Sequence, residues 1–300
     1  MFRDKYYFLS NFYQNNVMFD GIVYSNAESA FQAQKCVSYE DRKKFCNLTG
    51  AEARSLGRKV ILRPDWEVVK VSTMKAIVRA KFLQNQNLAS NLIDTGDIEL
   101  VEENTWNDRF WGVCNGEGQN MLGRILMDTR KWIDDVPIIF VASKKQWAEH
   151  KLGFPIFISR TVDKKIVDIA CQHTVWQWTD LAPSSDLFSD YLNWSRKGVW
   201  NKNKFDTEYV PRFLMELKKE CISKKSNHQL NKLVMDYRAD KIPYSAITLM
   251  CHCNDETVCH RSIIAGLLKG LGDIKVCSYD TFTDYPNEAI KYHQMYKKVT

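Results

Sequence analysis

The spacing of hydrophobic positions changes repeatedly along this chain, and each change predicts an element. Asn16–Tyr24 alternates and is broken by Asp20-Gly21, the pattern of a tight hairpin. Helical spacing predicts helices at Asn26–Cys36, Ala51–Gly57, Trp66–Leu83 and Asn87–Asp94. Trp66, Val69, Ile77 and Ala80 form the apolar stripe of the third, and Thr95-Gly96 stops the fourth. Past Asp134-Asp135-Val136-Pro137 the pattern shifts to short apolar runs, predicting strands at Ile138–Ala142, Ile156–Ser159, Lys165–Ile169, Ala246–Met250 and Lys275–Ser278. Helices are expected between them at Tyr209–Cys221, His228–Arg238 and Ser262–Leu271. The first half, residues 1–135, reads as an α+β domain, largely helical with a small β component. The second, residues 136–300, reads as an α/β domain with a parallel pair.

Three hundred residues suit two domains, and 45% hydrophobic with 26% charged residues is globular composition. No apolar run approaches the ~20 residues of a membrane-spanning helix. No apolar leader follows Met1, and the nine cysteines are irregularly spaced, so a reduced, cytoplasmic protein is expected. The net charge of +6 is uneven: residues 1–135 balance 18 basic against 18 acidic side chains, residues 136–300 carry 24 against 18. Attraction to polyanions is therefore expected mainly of the second half.

Three segments of the first half carry candidate chemistry. In Ser25–Lys35, a helix puts Glu28, Gln32 and Lys35 on one face, although Ser25-x-x-Glu28 also reads as a capping box. Glu102 to Gly112 packs Trp106, Asp108, Arg109 and Trp111 together, a set suited to stacking a planar ring beside a carboxylate or simply to anchoring a loop. Gly116-Glu-Gly118-Gln-Asn120 leads into a helix and could offer backbone amides to a phosphate.

Taken in order, these segments, with Phe8-Leu-Ser-Asn-Phe12, Leu56-Gly57-Arg58, Arg63-x-Asp-Trp66-Glu, Lys81-Phe82, Thr95-Gly96-Asp97, Asp108-x-x-Trp111-Gly112 and Gly118-x-Asn120-x-Leu-Gly123, resemble the NADAR (YbiA-like) family over residues 1–133. The resemblance implies hydrolysis of an N-glycosidic bond between ribose and a nitrogen base. Family activities include cleavage of phosphoribosylamino-pyrimidine intermediates of riboflavin synthesis and removal of ADP-ribose from guanine in nucleic acid or nucleotides. Motif matching makes Glu28 and Asp108 the catalytic candidates, with Glu102 in reserve. It makes Trp111 a stacking wall, Lys35 and Arg58 phosphate holders, and Gln32, Gly118 and Asn120 further substrate contacts. No cofactor or metal is expected. The basic second half inclines the expectation toward ADP-ribosyl-guanine and toward a DNA contact there. A non-catalytic ADP-ribose binding module is the alternative of another class. Ser29-Ala30 departs from the bulky residue the family commonly has after the helix glutamate.

In the second half, Cys251-His252-Cys253 and Cys259-His260-Arg261 sit at a strand-to-helix junction. Their spacing, C-x-C-x5-C-H, is not a common zinc pattern; a metal, a nucleophilic cysteine and plain packing all remain open, packing slightly ahead. With Trp178–Leu187 the segment resembles a bacterial domain family of unknown function, marked by a Cys-His-Arg signature. Trp194-Ser-Arg196-Lys197 to Trp200-Asn-Lys202-Asn-Lys204 interleaves tryptophans with bases, suited to stacking nucleic-acid bases or to a solvated loop.

Overall fold

A computed structural model describes residues 2–134, 138–161, 176–223, 246–271, 274–279 and 283–299. The chain divides into two compact units, Met1–Asp135 with Glu149–Lys151, and Val136–Ala148 with Leu152–Thr300. The strand expected at Lys165–Ile169 and the helix expected at His228–Arg238 lie outside the described residues.

The first unit is α+β and mostly helical. Strands β1 (Val17–Phe19) and β2 (Ile22–Tyr24) pair antiparallel, with Phe19 opposite Ile22. Asp20 and Gly21 both take positive φ, 53° and 74°, which lets two residues reverse the chain with the twist of the strands. Helices follow as α1 (Ala27–Ala33), α2 (Tyr39–Lys43), α3 (Gly50–Gly57), α4 (Trp66–Leu83) and α5 (Gln86–Ile93). A two-residue parallel pair, β3 (Glu103–Asn104) with β4 (Val113–Cys114), then precedes α6 (Met121–Asp134). Helix α4 is central because its stripe of Met74, Ile77, Val78 and Phe82 is buried, and α1, α5 and α6 all contact it.

The second unit is α/β. Its described strands, β5 (Ile138–Ser143), β6 (Phe154–Phe157), β7 (Trp176–Gln177), β8 (Ala246–Cys251) and β9 (Lys275–Ser278), form one parallel sheet in the order β7-β6-β8-β5-β9. Every residue of β5, β6 and β8 is buried, as expected of parallel strands covered on both faces. The helices Val210–Ser223, His260–Leu271 and Ile290–Lys298 pack against one another.

The tryptophan-rich basic segment of this unit is folded back on itself. Trp194 and Trp200 stack with ring centroids 5.9 Å apart, and Trp200 also meets Phe205 and Tyr209 edge-on. Lys202 and Lys204 pair with Asp206 and Glu208, whereas Arg196 and Lys197 are exposed.

Candidate active site

Helix α1 is started by Asn26, whose side chain accepts from the Ser29 amide at 2.8 Å. This corrects the capping-box expectation for Ser25 and Glu28. With the cap one residue later, Glu28 is not at the position that folds back, and Ser25 instead donates to the Leu48 carbonyl at 2.7 Å. The Glu28 amide donates to the Asn11 carbonyl at 2.9 Å, so its carboxyl is free to turn inward. There it accepts from Gln32 Nε2 at 2.8 Å, one helical turn on.

Helix α3 closes over this face because Gly57 has no side chain: a Cβ there would stand 2.0 Å from Gln32 Oε1. The Gly57 carbonyl accepts from Lys35 Nζ at 3.2 Å. The close approach of α1 and α3 also carries Arg54 and Arg58 to the same cavity.

The opposite wall is the loop between β3 and β4. Asp108 Oδ1 accepts from the amides of Phe110 (3.2 Å) and Trp111 (2.9 Å), and Asn104 exchanges two bonds with the Asp108 backbone. This knot fixes Trp111, which meets Phe31 edge-on at 5.3 Å, while Phe31 packs on Trp66 at 5.1 Å. Trp106 is 49% exposed and lies under the Arg54 guanidinium at 5.6 Å.

Between these walls is a cavity of about 650 Å³, within the usual size of ligand sites. Glu28, Gln32, Lys35, Arg58, Asp108 and Trp111, all selected by sequence, line it together. Gly118 and Asn120 are not among its lining residues. Asn120 is buried and spends its amide on the Glu102 N–H (3.0 Å) and the Leu100 carbonyl (2.8 Å). Gly118, at φ 155°, lies where a Cβ would meet the Gly112 carbonyl at 2.2 Å. Both hold the loop that carries Glu102. The lining adds Arg54, Glu102, Asn104 and Trp106. Glu102, the reserve carboxylate of the sequence, and Trp106 were thus already singled out; Arg54 was legible as the residue four before Arg58.

Burial dominates the electrostatics. Glu28, 8% exposed, is raised above the usual carboxylate range by desolvation, with the Gln32 bond, Arg54 and Lys35 pulling it back and Asp108 adding to the rise. Glu102 is pushed up to about 7 by desolvation, reinforced by Asp108 and Glu28, and its Oε2 is buried without a hydrogen-bond partner. Lys35 is lowered by burial, against the attraction of Glu28. Two carboxyls thus share one pocket in unlike settings, Glu28 with an amide partner and two facing cations, Glu102 opposed by the chain's amino group and Arg54 but with Oε2 unbonded.

Comparison with known proteins agrees with this division of the chain. Residues 1–134 match the family model described as NADAR domain, and residues 139–272 match one described as the active DUF488-N3 subclade. A riboflavin biosynthesis protein of Vibrio vulnificus is 39% identical over 132 residues, which are 43% of this chain and 36% of that one. N-glycosidase YbiA of Escherichia coli is 36% identical over 132 residues, covering 43% of this chain and 82% of that protein. The NMR structure of E. coli YbiA aligns at 34% identity over 44% of this chain and 81% of its own, with a TM-score of 0.41. Among the described residues no helix is long and apolar enough to cross a membrane. With a family model matching from residue 1 to residue 134, and a relative matched over four-fifths of its length, the first half of this chain belongs to the NADAR family.

Proposed function

We propose that the first unit is an N-glycoside hydrolase that cleaves the bond between a phosphorylated ribose and a nitrogen base, with ADP-ribose on guanine as the substrate. The observation that carries this is the pairing of Glu28 and Glu102 in one cavity, Glu28 bonded to Gln32 and Glu102 with a buried Oε2 that has no hydrogen-bond partner. Cleavage leaves positive charge on the anomeric carbon as the base departs. Ionised Glu28, held by Gln32 and faced by Arg54 and Lys35, stabilises that charge and takes a proton from the attacking water. Glu102 keeps a proton near neutral pH for want of any partner on Oε2 and gives it to the departing nitrogen. Water adds its oxygen to the sugar, and the two carboxyls exchange roles by one proton. Asp108, its Oδ1 committed to two amides, shapes the wall and adds negative potential. Trp111 and Trp106 flank the base, while Lys35, Arg54 and Arg58 face the phosphates.

Three cations on one side of the cavity favour a diphosphate over a single phosphate. The names of the relatives, an N-glycosidase and a riboflavin biosynthesis protein, support the bond type, and the latter favours a phosphoribosylamino-pyrimidine as the second reading. Nucleic-acid contact by the second unit is proposed through Arg196 and Lys197, which are exposed.

The purified chain is incubated with guanine-ADP-ribosylated DNA and, separately, with the phosphoribosylamino-pyrimidine, and released sugar is measured. Faster release from the first supports the substrate proposed; release from the pyrimidine alone transfers the assignment to it. Glu102→Gln is expected to lower the rate by roughly 10²–10⁴-fold and to abolish the decline above about pH 7, since the acid can no longer be deprotonated. Tight ADP-ribose binding without turnover of either substrate would establish a binding module instead.

A further inference from the structure

The cysteine group of the second unit is unused by the chemistry above. β8 ends at Cys251, the helix His260–Leu271 begins just after Cys259, and the intervening loop turns Cys253 back toward both. The three sulfurs lie within 4.8 Å of one another, with Cys251 and Cys259 at 3.0 Å. The Cys253 amide donates to Cys251 Sγ at 3.2 Å. All three line a cavity of about 190 Å³ walled by Tyr191, Trp200 and Tyr209, at the carboxyl end of a central parallel strand, where open α/β sheets place their ligands.

Arg261 supplies a second, independent observation. Its side chain is 0% exposed, with Nη1 3.8 Å from Cys251 Sγ, further bonds to the carbonyls of Cys253 and Asn254, and Nη2 4.0 Å from Glu256 Oε2. Its Nε has no partner. A buried guanidinium needs compensating negative charge; Glu256, part-exposed with Oε2 4.0 Å from Nη2, supplies some, and a sulfur cluster beside Nη1 is placed to supply more.

We propose that Cys251, Cys253 and Cys259 form a three-thiolate site for a zinc-class divalent cation, with the fourth coordination position open to the cavity. Three thiolates around a divalent ion carry one net negative charge, which the buried Arg261 balances. Binding displaces the thiol protons into solvent and forms three metal–sulfur bonds, with no change of oxidation state. Tetrahedral zinc, with metal–sulfur bonds of about 2.3 Å, spaces its sulfurs by roughly 3.8 Å. The Cys251–Cys259 separation of 3.0 Å is shorter than that, and binding would widen it by under ~1 Å. The group of mutually close ligand atoms holds the three sulfurs alone: His252 Nε2 is bonded to the Thr161 carbonyl at 2.8 Å, and His260, its Nε2 on the Ile158 carbonyl at 2.7 Å, has Nδ1 3.8 Å from Cys259 Sγ. Three protein ligands with a vacant position facing a pocket is the arrangement of a reactive, rather than a purely structural, zinc site.

The test titrates the reduced, chelator-treated full chain with Co²⁺. One equivalent is expected to produce sulfur-to-cobalt charge transfer together with the visible bands of tetrahedral cobalt, both displaced by Zn²⁺. Zinc is also expected to protect three thiols from a thiol reagent. Cys251→Ser, Cys253→Ser and Cys259→Ser are each expected to weaken binding by at least about 100-fold, the scale on which even outer-sphere changes act. Cys46→Ser, in the first unit, is expected to leave the spectrum unchanged. Wild-type protein lacking the charge-transfer band overturns the proposal, and this holds however the variants fold. Protection of only two thiols, or full cobalt affinity in Cys253→Ser, refutes the three-thiolate site.

Discussion

Substituting Gly57 by alanine tests the candidate active site from a position that touches no substrate. The new Cβ would stand 2.0 Å from Gln32 Oε1, 2.8 Å from its Cδ and 3.1 Å from its Cβ, so the Gln32 side chain must leave its rotamer. Overpacking of this kind costs about 1–3 kcal/mol. Alanine returns up to ~1 kcal/mol of helix propensity at the end of α3, leaving a net loss of about 1 kcal/mol. The larger consequence falls on Glu28. Gln32 Nε2 favours the charged carboxylate, and a bond to a charged group is worth about 1.5–3 kcal/mol. Felt in full, that is a loss of roughly 10- to 100-fold in rate at neutral pH. Because the lost bond favoured ionisation, Glu28 in the variant rises further and the acid limb of the pH–rate profile moves to higher pH. Single-turnover release of sugar across pH 4–9, with urea unfolding alongside, measures both effects. A folded Gly57→Ala protein with wild-type rate and an unmoved acid limb would refute the reasoning.

Two further expectations concern stability. Lys81 is buried, donates to the carbonyls of Phe8 (2.6 Å) and Ser10 (2.8 Å), and is lowered to about 7 by desolvation. From about pH 7 up to the ordinary lysine value the unfolded chain holds a proton that the folded chain has shed, so stability gained from this group rises with pH, by at most about 1.4 kcal/mol per unit. Urea midpoints at pH 7, 8 and 9 should therefore climb more steeply in wild type than in Lys81→Met, and equal slopes would disprove the assignment. Gly153 sits at φ 66° with its Cβ position 2.8 Å from Thr248 Oγ1 and 2.9 Å from the Ile247 carbonyl carbon. Gly153→Ala combines left-handed strain with a clash against β8 and should destabilise the second unit by about 2–4 kcal/mol, as read by chemical denaturation; a loss below ~0.5 kcal/mol would contradict that geometry.

What could be read from sequence was what is decided locally. Helix α4 runs over Trp66–Leu83 as its apolar stripe indicated, and Asp20-Gly21 turns the hairpin as that dipeptide requires. Glu28 and Gln32 reach one cavity because helical periodicity puts them on one face, and Lys35, in the turn just past α1, joins them there. The errors lie where one residue of register or a distant partner decides. Asn26 outcompetes Ser25 for the cap because the Leu48 carbonyl, over twenty positions away, claims the serine hydroxyl. Asn120 looked like a ligand contact until the Leu100 carbonyl and the Glu102 amide supplied it with partners. Glu102, a reserve in the sequence, is raised by burial, which no spacing displays, and the tryptophans at 194 and 200 stack on each other.

The order of strands in the second unit bears on how the protein is made. β8 lies between β5 and β6, pairing Ile138 with Ala246 and Phe154 with Ile247, so two apolar strands emerge from the ribosome about a hundred residues before the strand that separates them. During that interval their edges are open to each other and to other chains. Nascent chains stopped short of residue 246 should therefore engage chaperones or aggregate, whereas the first unit, whose residues all precede position 152, can finish while its companion is still being translated.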